Sequence, residues 1–62
     1  MNSLRYYREL AGLTADELAA EIGVDRTQIT KAEVGGYDLK GQNWKRAAEV
    51  LKCTVDELLM HG

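Results

Sequence analysis

Polar side chains near the middle of the chain have the types and spacing needed to bond to nucleic-acid bases. On a helix with about 100° per residue, five side chains share an arc of about 140°: Arg26, Thr27, Thr30, Lys31 and Val34. The arc contains no acidic residue. Arg can donate two hydrogen bonds to guanine, Thr can meet a base edge or a thymine methyl group, and Lys can reach a base or a phosphate. The arc therefore predicts a base-reading surface, and the alternative is a solvated helix face.

Gln28 lies at the edge of this arc, where two interpretations are open. The stretch Asp25-Arg26-Thr27-Gln28 matches a helix-capping pattern, in which the third helical residue bonds back to the capping residue. Gln28 is therefore predicted either to contact DNA or to cap its own helix.

Glycines and capping patterns divide the chain into five short segments with helical spacing of apolar residues. The predicted segments are 3–11, 14–23, 25–35, 42–51 and 54 onward, with glycines closing the first three. Thr14 with Glu17, and Thr54 with Glu57, form capping boxes. We expect one all-α domain covering residues 1–62, in which packing stabilises helices that are too short to be stable alone.

Segments two and three read as a helix-turn-helix, two helices joined by a tight turn that contains glycine. Gly23 can take the positive φ of a sharp turn. Ala19 is small where the two helices approach, and Val24 fills the corner. The third segment is therefore predicted to be the DNA-reading helix, whose N-terminal turn enters the major groove.

Composition excludes several classes of function. The 62-residue chain has a formal net charge of −2, which argues mildly against nucleic acid, but residues 25–46 hold five cations and three anions. A single cysteine, Cys53, and the lack of a signal or membrane segment indicate a reducing cytoplasm. His61 has no partners at metal-ligand spacing, so no metal is expected. Without a nucleophile–base arrangement, no enzyme activity or cofactor is expected.

The start of the fourth segment carries candidates for phosphate contact, because backbone amides at a helix N-terminus attract phosphate. The predicted phosphate contacts are Tyr37, Lys40, Asn43 and Arg5. Lys45 and Arg46 fit either a phosphate contact or a solubilising surface. Trp44 shares a stripe with small apolar residues and is predicted to lie in the core. At the C-terminal end, Leu58 is predicted to be buried and Leu59 or Met60 to lie at a dimer interface.

The ordered series of segments resembles the phage repressor/Cro-type helix-turn-helix family, also called the xenobiotic-response-element family. The matching stretches are LRYYRELAGLT, DELAAEIGV, DRTQITKAE, Gly35, KRAAEVLKC and TVDELL, which together run from Leu4 to Leu59. The resemblance implies a compact, lambda-repressor-like domain of five helices that binds DNA as a dimer on a two-fold operator. It also implies a structural ion pair between Arg8 and Glu33. Two features depart from the family: Ala15 stands where a DNA-contacting Gln is common, and the segment 36–41 stands where a Pro-containing loop is common.

Two functions fit these predicted features. The first is a sequence-specific, Cro-like or repressor-like transcriptional regulator of phage or prophage origin. It would act as a homodimer on double-stranded DNA, reading the operator with Arg26, Thr27, Gln28, Thr30 and Lys31. The alternative is a protein-interaction module on the same fold, such as an antitoxin or anti-repressor, which the acidic net charge and Ala15 favour.

Overall fold

Five α-helices make up the computed structural model, which describes residues 2–35 and 38–60. They are α1 (Leu4–Leu10), α2 (Ala15–Ile22), α3 (Arg26–Val34), α4 (Gly41–Leu51) and α5 (Val55–Leu59). No strand occurs in these two ranges. The predicted all-α architecture is confirmed, with α1 slightly shorter than expected and α4 beginning one residue earlier, at Gly41.

The two capping boxes form as the sequence indicates. The Thr14 hydroxyl accepts from the Glu17 N–H at 3.1 Å, and the Glu17 carboxylate accepts from the Thr14 N–H at 2.8 Å. Thr54 and Glu57 make the same reciprocal pair at 3.0 and 2.8 Å. Each box satisfies two backbone donors that a helix start would otherwise leave without a partner, so both helix starts are fixed locally.

The turn between α2 and α3 depends on Gly23. Its φ is 91°, a left-handed conformation that costs a residue with a Cβ about 1–2 kcal/mol. The N–H groups of Gly23 and Val24 both donate to the Ala19 carbonyl, at 2.8 and 3.0 Å. The chain therefore leaves α2 sharply and starts α3 after only three residues. Gly12 and Gly35 also have positive φ, at 76° and 88°.

The core forms around α2, which packs against both α3 and α4, while α1 contacts α3 and α5. It is built from buried aliphatic residues and one tryptophan: Leu4, Leu18, Ala19, Ile22, Ile29, Ala32, Leu39, Trp44, Ala47, Ala48, Leu51 and Leu58. The predicted core position of Trp44 is confirmed, and its Nε1–H donates to Asp38 Oδ1 at 2.9 Å. Leu39, which sequence reasoning left in a loop, is also buried and anchors the segment before α4.

Both ends of the described chain meet beside α5. The Ser3 N–H donates to the Leu58 carbonyl at 2.9 Å, and the Ser3 hydroxyl donates to the Met60 carbonyl at 2.8 Å. Asn2 Oδ1 accepts from the Leu4 N–H at the start of α1, and the Asn2 side-chain amide donates to the Ala32 carbonyl at 2.7 Å. Leu58 is fully buried, as predicted, and its neighbours Leu59 and Met60 are exposed.

No helix in residues 2–35 and 38–60 has both the length and the apolar character needed to cross a membrane.

Candidate nucleic-acid interface

Helix α3 has one buried face and one solvent-facing edge. Ile29 and Ala32 are fully buried against the core. On the opposite side lie the five residues of the outer edge of α3: Arg26, Thr27, Thr30, Lys31 and Val34. Four of them are exposed and Thr30 is half-buried. The structure therefore brings the predicted base-reading residues together on one accessible edge.

Glu33 fixes the orientation of this edge from behind. Its Oε2 accepts from Arg8 Nε at 2.6 Å, and both side chains are largely buried, with 8% and 13% of their surfaces exposed. Arg8 Nη1 also donates to the Leu13 carbonyl at 2.9 Å. The ion pair expected from the family resemblance is thus present and joins α1, the following loop and α3. A rotation of α3 about its axis would break it.

The hydroxyl groups of the outer edge are not equivalent. Thr30 Oγ1 donates to the Thr27 carbonyl at 3.1 Å, which uses its one hydrogen and leaves its oxygen as an acceptor. Thr27 is exposed in the first turn, where a helix approaches a groove. Gln28 is half-buried, and its Oε1 accepts from the Asp25 N–H at 3.1 Å. The predicted capping bond of Gln28 therefore forms, and a contact of Gln28 with DNA stays a prediction.

Arg26 has an acidic neighbour that the helical arc did not reveal. Its Nε lies 3.4 Å from Asp16 Oδ1 of α2, and both side chains are well exposed, at 60% and 77%. The arc contains no acid on α3 itself, but on the folded surface α2 supplies a carboxylate beside it. A pair this exposed stabilises the fold by only about 0–1 kcal/mol.

The predicted phosphate contacts lie on α1 and around the start of α4. Lys40 is the exposed residue immediately before α4, and Asn43 is half-buried in its first turn, where no acidic residue occurs. Arg5 is exposed and pairs with Glu9 at 3.1 Å. The Glu9 carboxylate raises the pKa of Arg5, mainly through this hydrogen bond. Tyr37 lies outside the described residues.

Arg46, for which sequence reasoning left two readings open, has a structural contact. Its Nη1 donates to the Ile22 carbonyl at 3.2 Å, near the end of α2. A carbonyl in the last turn of a helix has no partner within the helix, and a cation there also favours the helix dipole. Arg46 therefore ties α4 to the turn that precedes α3.

We expect Arg46→Ala to lower the free energy of unfolding by about 1 kcal/mol, because a charged hydrogen bond to a helix end is lost. The melting temperature should fall by about 4–8 °C as a result of this loss. Lys45→Ala is the matched control, since Lys45 is the neighbouring exposed cation on the same helix. If the two variants melt at the same temperature and only Arg46→Ala binds DNA more weakly, the stabilising role is contradicted and Arg46 is instead a phosphate contact.

Metal-ligand groups and the cysteine thiol were the other features with possible chemistry. In the described part of the chain, no group of three or more His, Cys, Asp or Glu residues could hold a metal ion. Cys53 packs against the core, and burial, followed by the charge of Glu57, raises the pKa of its thiol. A thiol with a raised pKa is a poor nucleophile at neutral pH.

A separate open cleft lies between the end of α1, α2 and the end of α4. Leu10, Leu13, Val50 and Lys52 are among its lining residues, and none comes from α3.

Comparison with known proteins agrees with this geometry. A profile of the helix-turn-helix family matches residues 4–58, most of the chain. The chain belongs to the helix-turn-helix family. Its five helices have the lambda-repressor-like arrangement.

Helix-turn-helix proteins of known structure share the fold along nearly the whole chain. A hypothetical transcription factor from Neisseria superposes with a TM-score of 0.81 and 28% identity, covering 92% of this chain and 64% of that one. The N-terminal DNA-binding domain of the biofilm regulator SinR from Bacillus subtilis superposes with a TM-score of 0.78 and 25% identity, covering 94% and 86%.

One curated helix-turn-helix relative is similar over a shorter stretch. An uncharacterized HTH-type transcriptional regulator of Methanocaldococcus jannaschii is 49% identical over 37 residues, which are 60% of this chain and 56% of that protein. The match therefore spans little more than half of the curated relative.

Proposed function

We propose that the protein is a sequence-specific, DNA-binding transcriptional regulator that reads a double-stranded operator with α3 in the major groove. One observation carries the proposal. Helix α3 holds its apolar face in the core and, through Glu33, is ion-paired to α1, while a polar edge with two cations faces solvent. The names of the relatives, which are transcriptional regulators and a DNA-binding domain, support the same function.

The side chains of the outer edge suit the groups that a major groove presents. The groove is about 12 Å wide and admits an α-helix. Arg26 supplies donors for guanine, Thr27 a hydroxyl and a methyl group, and Lys31 a mobile cation for a base or a phosphate. Val34, at 71% exposure, offers an apolar contact one turn after Lys31. These residues would determine which operator sequence is preferred.

Phosphate contacts would set the position of the domain on the duplex. Lys40 and Asn43 lie at the start of α4, whose first-turn amides also favour an anion. Arg5 on α1, together with Tyr37, would extend these contacts, although Arg5 must first release Glu9. The net charge of −2 makes binding depend on where these cations lie rather than on the overall charge.

Small reading surfaces gain affinity by pairing, so we propose a homodimer on DNA that occludes a promoter. Two-fold operators place half-sites about 34 Å apart, one helical turn of DNA. The exposed Leu59 and Met60 next to buried Leu58 are the proposed contact between copies. A cytoplasmic location and a phage or prophage origin, of the Cro or repressor type, belong to the same proposal.

Selection from a random duplex pool at low salt tests this function. Each phosphate contact gains affinity as salt is lowered, so even an acidic protein that binds weakly should be detected. We expect enrichment of a palindrome whose half-sites are one turn apart. If no duplex is retained even at low salt, the DNA-binding proposal fails, and a protein-interaction module on the same fold becomes the better description.

A further inference from the structure

Asp16 lies in the first turn of α2, where a carboxylate favours the helix dipole but takes no part in the capping box. Thr14 and Glu17 already complete the capping box of that helix. Asp56 holds the equivalent place in the box of Thr54 and Glu57 at the start of α5. Asp16 differs in its surroundings, because its carboxylate lies 3.4 Å from Arg26 Nε.

The pair occupies the Nε side of the Arg26 guanidinium and leaves the Nη groups at its tip available. Arg has five N–H donors in one rigid plane, and Asp16 is placed beside the Nε group. The Nη1 and Nη2 groups at the tip can still donate to two acceptors in that plane, such as O6 and N7 of guanine. Asp16 can therefore hold the stem of Arg26 while the tip remains available to a base.

The Asp16 carboxylate should weaken a contact of Arg26 with a phosphate more than a contact with guanine. A phosphate carries a full negative charge, whereas guanine O6 and N7 carry only partial charges. If Arg26 turns to a phosphate, Asp16 loses its partner and is left close to the negatively charged backbone. On the guanine edge, Arg26 can keep both contacts. The penalty thus falls mainly on non-specific binding, which relies on phosphates.

We propose that Asp16 is a specificity-determining residue: by pairing with Arg26, it directs that side chain to guanine and weakens binding to DNA of other sequences. This inference rests on the proposed function. It means that the acidic first turn of α2 lowers affinity and raises discrimination, since a repulsive element against wrong partners contributes to specificity. Asp16 would act through Arg26, as a positioning residue, and would not itself contact a base.

The test compares Asp16→Asn with Asp56→Asn. Both variants remove one negative charge from the second position of a helix that starts with a Thr–Glu capping box, so their net charges and helix-dipole losses match. Binding would be measured at several salt concentrations to three kinds of duplex: the selected operator, a set of operators that each have one guanine replaced, and a random sequence. Thermal melts of both variants establish that the folds are intact.

For Asp16→Asn we expect binding to the random duplex to tighten by about threefold to tenfold, because Arg26 becomes free to contact a phosphate. The slope of log K against log salt should become steeper by about one unit on that duplex, the effect of one additional phosphate contact. At one guanine position, discrimination should fall by a similar factor. Asp56→Asn should leave the affinity and the discrimination within about twofold of the parent, and the slope of log K against log salt unchanged.

The outcomes separate this inference from the proposed function. If both variants tighten binding equally and discrimination is unchanged, only net charge matters and the role of Asp16 is disproved, while DNA binding stands. Equal weakening of all duplexes by Asp16→Asn would likewise disprove it. If neither the parent nor Asp16→Asn binds any duplex, both proposals fail.

Discussion

Replacing Glu33 with Ala should remove about 3 kcal/mol from the free energy of unfolding, because the largely buried Arg8 guanidinium loses its anion. A chain of 62 residues is typically stable by about 3–9 kcal/mol in total. The melting temperature should therefore fall by roughly 12–24 °C. If the stability of the parent lies at the lower end of this range, the variant is expected to be partly unfolded. Circular dichroism during thermal and urea denaturation measures the effect.

Glu9→Ala is the matched control for this experiment. It removes the same side chain from a helical position whose ion pair, with Arg5, is exposed to water on both sides. Exposed pairs contribute little to stability, so its melting curve should stay close to that of the parent. Glu33→Gln, which keeps an acceptor for Arg8, should fall between the two. Similar melting of Glu33→Ala and Glu9→Ala would show that the buried pair contributes no more than an exposed one.

Removing both cations from the outer edge of α3, with Arg26→Ala and Lys31→Ala together, should weaken binding to the selected operator by roughly 100-fold. A two-bond contact between Arg and guanine accounts for about 1–3 kcal/mol and a Lys contact for about 1 kcal/mol more. Both side chains are exposed, so the melting temperature should change little. Titration of labelled operator, with a melt of the same sample, measures both quantities.

Lys52→Glu changes the net charge by the same two units and serves as the control. Lys52 lines the cleft between α1, α2 and α4, which includes no residue of α3. We expect this variant to lose only the small affinity that overall charge provides. Equal weakening by the two changes would mean that the outer edge of α3 makes no special contact with DNA.

The features that the sequence predicts well are local ones. Thr14 and Glu17 are three residues apart, so their mutual capping needs no information about other helices. Gly23 ends α2 because the left-handed conformation is local as well. The Arg8–Glu33 pair spans 25 residues, and it was expected only through the family resemblance.

The features that sequence reasoning missed all join different elements. Asp16 meets Arg26, and Arg46 meets the Ile22 carbonyl, only because α2, α3 and α4 cross at particular angles. Helical periodicity places a side chain on a face, but it does not say which side chain of a neighbouring helix lies opposite. Leu39 lies in a segment without helical spacing, so periodicity gave no information about its burial.

The hydrogen bonds of Ser3 to Leu58 and Met60 close the described chain into a loop, and this closure has a consequence for cooperativity. The side-chain bond joins residues 57 positions apart, and closing a loop of that length costs roughly 3.5 kcal/mol of chain entropy in its length-dependent part. Helix α5, with five residues, is too short to form without outside contacts. Helix α5 packs against both α1 and α4, so its stability depends on contacts with both, and the two most distant parts of the described chain should fold and unfold together with the core.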